Sequence, residues 1–333
     1  MRYRRLSPVS LVATVFALVT IVPAAAGQTP KVPRTAWGKP DLQGIWDFRT
    51  LTPLERPTAL AGKPFLTPAE AAEFEKRRLS EIDELDVKEP ADIVGNYNQV
   101  WFDRGSTVVG TRRTSLIIDP PDGRLPALTP EARKRADSAE AARIEASRRG
   151  DSDTWEDLDA SDRCIQHSKA GPPINPGAYN NNIHLFQTAD YVAILNEQIH
   201  DTRLIPLDGR PHLGKGLAQW MGDSRGRWEG DTLVVETTNF NGKHDQVGRP
   251  VLESGKHLRL VERFTRVDGN TLRYEYTVTD PTVWVAPWTA QFPMKLNPDL
   301  MYEYACHEGN YSMKVRLAGA REREKAGSKK ESK

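Results

Sequence analysis

Two histidines stand next to carboxylates in stretches of the chain that carry strand signals, and these pairs suit proton transfer. His200 is followed by Asp201 and shortly afterwards by Arg203, and His307 is followed by Glu308. Histidine titrates near neutral pH and is the commonest general acid or base in enzymes. We therefore predict that His200, Asp201, His307 and Glu308 are catalytic and that Arg203 binds an anionic group or an oxyanion. Strand alternation sets His200 apart from Asp201 and Arg203 unless a turn brings them together.

Glu262 is a further candidate acid or base because its strand would place it among apolar side chains. In the strand predicted over residues 257–267, alternation puts Glu262 on the same face as Leu260 and Phe264. In the next predicted strand Tyr274 and Tyr276 share a face, so inward-pointing faces would put Glu262 beside them. An ionised carboxylate there is costly unless it is paired or functional. Two interpretations stay open: Glu262 takes part in catalysis, or it pairs with an arginine of another strand.

Aromatic residues near these strands are the candidates for substrate contact. Trp284 and Trp288 flank a proline after the predicted strands, and with Tyr274 and Tyr276 they could line a cavity. Asn181 is the middle of three consecutive asparagines in an irregular, proline-rich stretch, and ordered loops of that kind often line sites. We predict that these five residues bind substrate.

A metal site is a weaker interpretation of the histidines. His200, His212 and His307 could supply three zinc ligands, as in many catalytic zinc sites. The chain has no His-Glu-x-x-His or Cys-x-x-Cys spacing, and it has no phosphate-binding loop, dinucleotide fingerprint or Gly-x-Ser-x-Gly elbow. We therefore predict neither a metal nor a cofactor.

Strand signals follow one another between residues 227 and 311 and indicate an antiparallel meander. The turn at residues 268–270 reads Asp-Gly-Asn, which tolerates positive φ and joins two of the strands. We predict a mainly β fold whose meander closes into a lipocalin-like barrel. The Gly-x-Trp at residues 44–46 resembles the start of such barrels, where the tryptophan closes one end. Two helical insertions are expected, near residues 67–80, where Thr67 and Glu70 form a capping box, and near residues 130–149.

The N-terminus has the pattern of an export signal. Basic residues precede an apolar run over residues 11–22, and three alanines at residues 24–26 form a small-residue cleavage site. We predict a signal peptide over residues 1–26, a single domain over residues 27–320 and a disordered charged tail over residues 321–333. The protein is then periplasmic or secreted, without an integral membrane segment after cleavage. Export through the general or the twin-arginine route stays open.

Composition limits the partners. The chain has 46 basic and 45 acidic residues, and a net charge of +1 argues against nucleic acid as the main partner. Cys164 and Cys306 are its two cysteines. In an oxidising compartment they can form a disulfide, although a metal site or a reactive thiol is an alternative.

Several long motifs resemble a family of secreted bacterial proteins that has no established activity. These motifs are DLQGIW (41–46), TPLERP (52–57), IPLDGRPH (205–212), WMGDSRG (220–226), WEGDTLVV (228–235) and YEYACHEGNY (302–311). The resemblance covers nearly all of the predicted mature chain and implies secretion and a single domain. It assigns no role to any residue.

Together these features predict an enzyme that acts on a small polar or aromatic molecule by general acid–base chemistry, as a lyase, an isomerase or a hydrolase. The alternative is a non-catalytic, lipocalin-like protein that binds a small ligand in the same cavity.

Overall fold

A single antiparallel sheet dominates the structure, a computed structural model that describes residues 32–88, 102–149, 154–158, 160–167, 171–242 and 257–331. The predicted signal peptide at residues 1–26 lies outside the described residues. The strands are β1 Gly44–Asp47, β2 Ile117–Asp119, β3 Asn182–Gln187, β4 Tyr191–Asn196, β5 Thr202–Pro206, β6 Asp223–Glu229, β7 Thr232–Thr238, β8 Arg259–Arg266, β9 Thr271–Thr279 and β10 Trp288–Asn297. The helices are α1 Pro68–Lys88, α2 Pro130–Arg149 and α3 Ser312–Glu331.

Neighbouring strands follow the order β5-β4-β3-β1-β10-β9-β8-β7-β6, and β2 pairs with β10. Alternation in the sequence explains which face each strand buries. In β8 the side chains of Leu260, Glu262 and Phe264 are buried, and in β9 those of Tyr274 and Tyr276 are buried on the same side of the ladder. The prediction of a mainly β, antiparallel fold is therefore confirmed.

The two ends of the sheet, β5 and β6, lie against each other without a shared ladder among the strands described. Gly226 of β6 faces the end of β5. A Cβ atom on Gly226 would lie 2.5 Å from Leu207 Cδ2 and 2.9 Å from Ile205 Cγ2. The absence of a side chain at Gly226 therefore allows the two edges to pack, but hydrogen bonding does not close the sheet into a barrel.

The helices begin where the sequence predicts for α1 and α2. At α1, Glu70 N donates to Thr67 Oγ1 at 3.3 Å and Thr67 N donates to Glu70 Oε2 at 2.9 Å, which is a capping box. At α2, Ala132 N donates to Thr129 Oγ1 at 3.1 Å. Both caps satisfy backbone N–H groups that the first helical turn leaves without partners.

Residues 321–331 of the predicted charged tail (321–333) lie in α3, which continues to Glu331. The tail is rich in Arg, Glu and Lys, which have high helix propensity. Ion pairs one turn apart, such as Arg321–Glu324 at 2.8 Å, add to that preference. A high charge content was thus compatible with a regular helix on the surface.

A disulfide joins Cys164 and Cys306, as one interpretation of the two cysteines predicts. The bond links the segment before β3 to the segment that precedes α3. Its sequence separation is 142 residues, so it closes a long loop. A long closed loop limits the conformations of the unfolded chain and stabilises the folded state.

We expect reduction of this disulfide to lower the free energy of unfolding by up to about 5 kcal/mol, the value of the chain-entropy model for a loop of this length. Urea unfolding with and without reductant measures the change. The Cys164→Ser/Cys306→Ser variant is the control and should not respond to reductant. Two reactive thiols in the denatured, unreduced protein would contradict the disulfide.

Candidate functional site

Three of the predicted site residues meet in the interior of the sheet. Arg203 of β5 and Glu262 of β8 form a double hydrogen-bonded ion pair, with Nη1–Oε2 at 2.5 Å and Nη2–Oε1 at 3.0 Å. The Tyr274 hydroxyl donates to Glu262 Oε1 at 2.7 Å and accepts a hydrogen bond from Ile174 N at 3.0 Å. Both side chains of the ion pair are buried. This is the pairing with an arginine of another strand that the sequence left open.

The surroundings of Arg203, Glu262 and Tyr274 favour a structural role for these side chains rather than proton exchange with a substrate. Burial, together with the negative charge of Glu262, raises the pKa of the Tyr274 hydroxyl well above its usual range. Both carboxylate oxygens of Glu262 already accept hydrogen bonds. The catalytic role of Glu262 and the anion-binding role of Arg203 stay predictions.

The predicted aromatic residues are buried and stacked on one another. The Tyr276 and Trp288 rings lie 5.6 Å apart at 73°, and the Trp284 and Trp288 rings lie 5.9 Å apart at 72°. The Tyr276 hydroxyl donates to Asn175 Oδ1 at 2.6 Å, and burial raises its pKa. Residues 171–176 thus reach into the interior, where Ile174 is buried as well. The side chains predicted to line a cavity are packed against this segment and each other.

His200 and Asp201 lie in a tight turn between β4 and β5. Residues Gln198–His200 form a tight turn, and Asn196 N donates to Asp201 O at 3.0 Å across it. Ile199 has a φ of 63°, which is unusual for a β-branched residue. Such a conformation costs about 1–3 kcal/mol and is found most often at functional sites.

Glu197, at the start of this turn, is held by an asparagine of β3. Asn182 N and Asn182 Nδ2 both donate to Glu197 Oε2 at 3.0 Å, and Glu197 N donates to Asn182 O at 3.1 Å. Partial burial raises the pKa of the Glu197 carboxyl, and the negative charge of Asp103 adds to the effect against the opposing hydrogen bonds of Asn182. A carboxyl group with a raised pKa at an accessible turn can act as a general acid or base.

Asn181 positions the neighbouring segments rather than pointing to solvent. Its Nδ2 donates to Asp103 O at 2.6 Å, and its Oδ1 accepts a hydrogen bond from Gly177 N at 2.6 Å. Asp103 in turn accepts from Arg49 Nη1 at 2.5 Å. The asparagine therefore holds Asp103 near the Glu197 turn. Its predicted contact with substrate stays a prediction.

His307 and Glu308 lie elsewhere, in an exposed turn that directly follows the disulfide residue Cys306. They are exposed, whereas Glu262 is fully buried. The structure thus does not bring these three predicted catalytic residues to one surface. The roles of His307 and Glu308 stay predictions.

His212 has a carboxylate partner that the sequence did not indicate. Its Nδ1 lies 2.8 Å from Asp223 Oδ2, which also accepts from Leu213 N at 2.9 Å, and Asp223 Oδ1 accepts from Arg225 Nη1 at 2.6 Å. Asp223 is buried and His212 is partly exposed. The described part of the chain contains no group of three His, Cys, Asp or Glu residues that could hold a metal ion.

Sequence reasoning missed Glu197 as a functional candidate. Glu197 lies directly before the His200 turn, and no motif of the sequence singles it out. The run of three asparagines at residues 180–182 was the available signal, since Asn180 and Asn182 bind Glu197 and Asn181 binds the backbone of Asp103. The pairing itself depends on the register of β3 and β4.

Comparisons with known proteins add no function: no protein-family model, no curated protein and no solved structure matches the chain. Within the described residues, none of the helices is both long and apolar enough to cross a membrane.

We expect Glu262→Gln to lower the free energy of unfolding by about 3–5 kcal/mol, because the Arg203 charge would stay buried without its partner. The Arg203→Met/Glu262→Gln variant should recover most of this loss, since glutamine can still accept from Tyr274. Urea unfolding measures both. The matched control is Glu236→Gln, which breaks the more exposed pair with Arg259 (2.7 Å) and should cost at most about 1 kcal/mol. Equal losses for the two single variants would contradict the prediction.

We expect the stability of Glu197→Gln to rise relative to wild type as pH increases from about 4 to about 7. The folded-state pKa of Glu197 is raised, so the stability that its protonated form contributes is present at low pH and is lost as pH rises through that pKa. Glu236→Gln should show the opposite trend, because Arg259 lowers the pKa of Glu236. Chemical unfolding at a series of pH values tests both signs, and parallel curves for Glu197→Gln and wild type would rule out the raised pKa.

Proposed function

We propose that the protein is a secreted or periplasmic enzyme that acts on a small polar or aromatic molecule by general acid–base chemistry. Glu197 is the proton-transferring group, and the reaction is a lyase, isomerase or hydrolase step. The observation that carries the proposal is a partly buried carboxyl group of raised pKa, held by Asn182 on a strained turn. General acids and bases work best when their pKa lies near the operating pH.

The surroundings of Glu197 support this role. Both hydrogen bonds from Asn182 reach Oε2, so the carboxyl group has one fixed orientation. The donors are neutral amides, which orient the group without the strong stabilisation of its charged form that an arginine gives. His200 and Asp201 follow on the same turn and are proposed as the partners in proton transfer. Arg203, two residues after Asp201, ties β5 to the core through Glu262.

Closure of the sheet into a barrel and secretion of the protein are also proposals. We take the sheet to be a lipocalin-like barrel whose closure depends on side-chain packing between β5 and β6, supported by the close approach of Gly226 to Ile205 and Leu207. The Trp46 ring is buried, with the Arg266 guanidinium 5.1 Å from its centre, which fits a tryptophan that closes one end. The disulfide is compatible with an oxidising compartment and so supports secretion.

A small-molecule binding protein is the second candidate, and one observation favours it. A pocket of about 330 Å³ lies outside the sheet, between α1 and the segment before it, with Leu66 and Phe74 on its apolar side and Lys63 and Arg77 among its charged residues. Its volume is at the lower end of the range for small-molecule sites. A ligand there would be bound away from the Glu197 turn.

The enzyme and the binding protein would have different effects on a mixture of metabolites. The protein is incubated with a broad mixture, which is then analysed by mass spectrometry. The enzyme proposal expects at least one compound to be consumed by wild type and by the control Glu236→Gln. Glu197→Gln should consume it about 10²–10⁴-fold more slowly, the usual contribution of a positioned acid or base.

A compound consumed equally fast by wild type and Glu197→Gln would reject Glu197 as the proton-transferring group. The His200→Ala and His307→Ala variants then report whether either histidine takes that role. A compound that is retained unchanged by all variants would favour the binding protein.

A further inference from the structure

Buried polar atoms without partners are concentrated at one corner of the molecule. Six side-chain nitrogen or oxygen atoms of the described residues are buried and have no hydrogen-bond partner. Four of the six belong to this corner, which consists of residues 280–288 and the facing start of α2. They are Asp280 Oδ2, Trp284 Nε1, Trp288 Nε1 and Arg135 Nε. The first three belong to side chains that are more than nine-tenths buried.

Contacts between α2 and the turn after β9 build this corner. Thr129 N donates to Val283 O at 2.9 Å, and Arg135 Nη2 donates to Thr282 O at 2.9 Å. Asp280 Oδ1 accepts from Thr282 N at 2.9 Å and from Thr282 Oγ1 at 2.6 Å. One oxygen of Asp280 is therefore satisfied locally, whereas the other has no protein donor among the described residues.

Another buried tryptophan shows that the chain can satisfy an indole N–H. Trp46 is as buried as Trp288, and its Nε1 donates to Leu42 O at 2.9 Å. An indole can only donate, and buried polar groups in native proteins almost always have a partner. At the 280–288 corner two indole donors and a carboxylate acceptor lack one, and a hydroxyl group, which both accepts and donates, has the chemistry that suits all three.

We propose that the 280–288 corner binds a small ligand through hydroxyl chemistry. Its oxygen accepts from the Trp284 and Trp288 indoles, and its O–H donates to Asp280 Oδ2. Water and the hydroxyl of a small alcohol or polyol share this chemistry and are the two possible sources. Val285, between the two tryptophans, is 62% exposed, so the turn that carries them lies at the protein surface. This site goes beyond the proposed acid–base function and does not depend on Glu197.

The test is nuclear magnetic resonance of the protein labelled with ¹³C and ¹⁵N, which shows one indole signal for each of its eight tryptophans. Rotating-frame Overhauser peaks are recorded from the indole protons of Trp284, Trp288 and Trp46, after assignment by triple-resonance methods. Isotope filtering selects partners that are not protein protons.

We expect Overhauser peaks, opposite in sign to exchange peaks, at Trp284 and Trp288 but not at Trp46. Peaks at the water frequency identify water as the source, and peaks to the carbon-bound protons of added unlabelled glycerol identify a polyol. If neither Trp284 nor Trp288 shows a peak of either kind, the site does not exist. Peaks of equal strength at Trp46 would equally overturn it, since the Trp46 indole already has a protein partner.

Discussion

The ion pair between Arg203 and Glu262 is the interaction on which the rest of the structure depends. Arg203 lies in β5 and Glu262 in β8, six steps apart in the order of the sheet. The two side chains can meet only if the sheet curves until β5 lies opposite β8. Burying two charges costs several kcal/mol for each ion. The cost is offset only when the geometry of the pair is good and its remaining donors and acceptors are hydrogen-bonded. The double hydrogen bond and the Tyr274 hydroxyl meet that condition.

This network also fixes what occupies the interior. Tyr274 joins Glu262 to Ile174, and Tyr276 binds Asn175, so the segment over residues 171–176 is held inside the curved sheet. Ile174 and Asn175 therefore occupy interior space that a carrier of the lipocalin type would use for a ligand. The turns that join the strands carry exposed polar groups instead, and a rigid sheet can position such groups.

The sequence predicted most of the features that depend on local pattern. Alternation placed Glu262 on one face with Phe264 and beside Tyr274, because side chains in a strand point to opposite faces in turn. It could not identify Arg203 as the partner of Glu262, because that contact depends on the curvature of the whole sheet. Glu197 was missed for a related reason: burial in the folded sheet raises its pKa, and its hydrogen-bond partner Asn182, 15 residues earlier, is brought to it by the register of β3 and β4.

Three glutamates of this protein show how the choice of partner determines what a carboxyl group can do. Glu262 is buried and ion-paired, so its charge is committed to the fold. Glu236 is paired with Arg259 near the surface, and that hydrogen bond lowers its pKa and keeps it ionised. Glu197 is partly buried and bound by neutral amides, so desolvation raises its pKa. A general acid must be protonated for part of the time, and the raised pKa of Glu197 favours that state whereas the lowered pKa of Glu236 opposes it. No cation is among the groups that shift the pKa of Glu197, and this distinguishes its environment from that of Glu236, which is paired with Arg259.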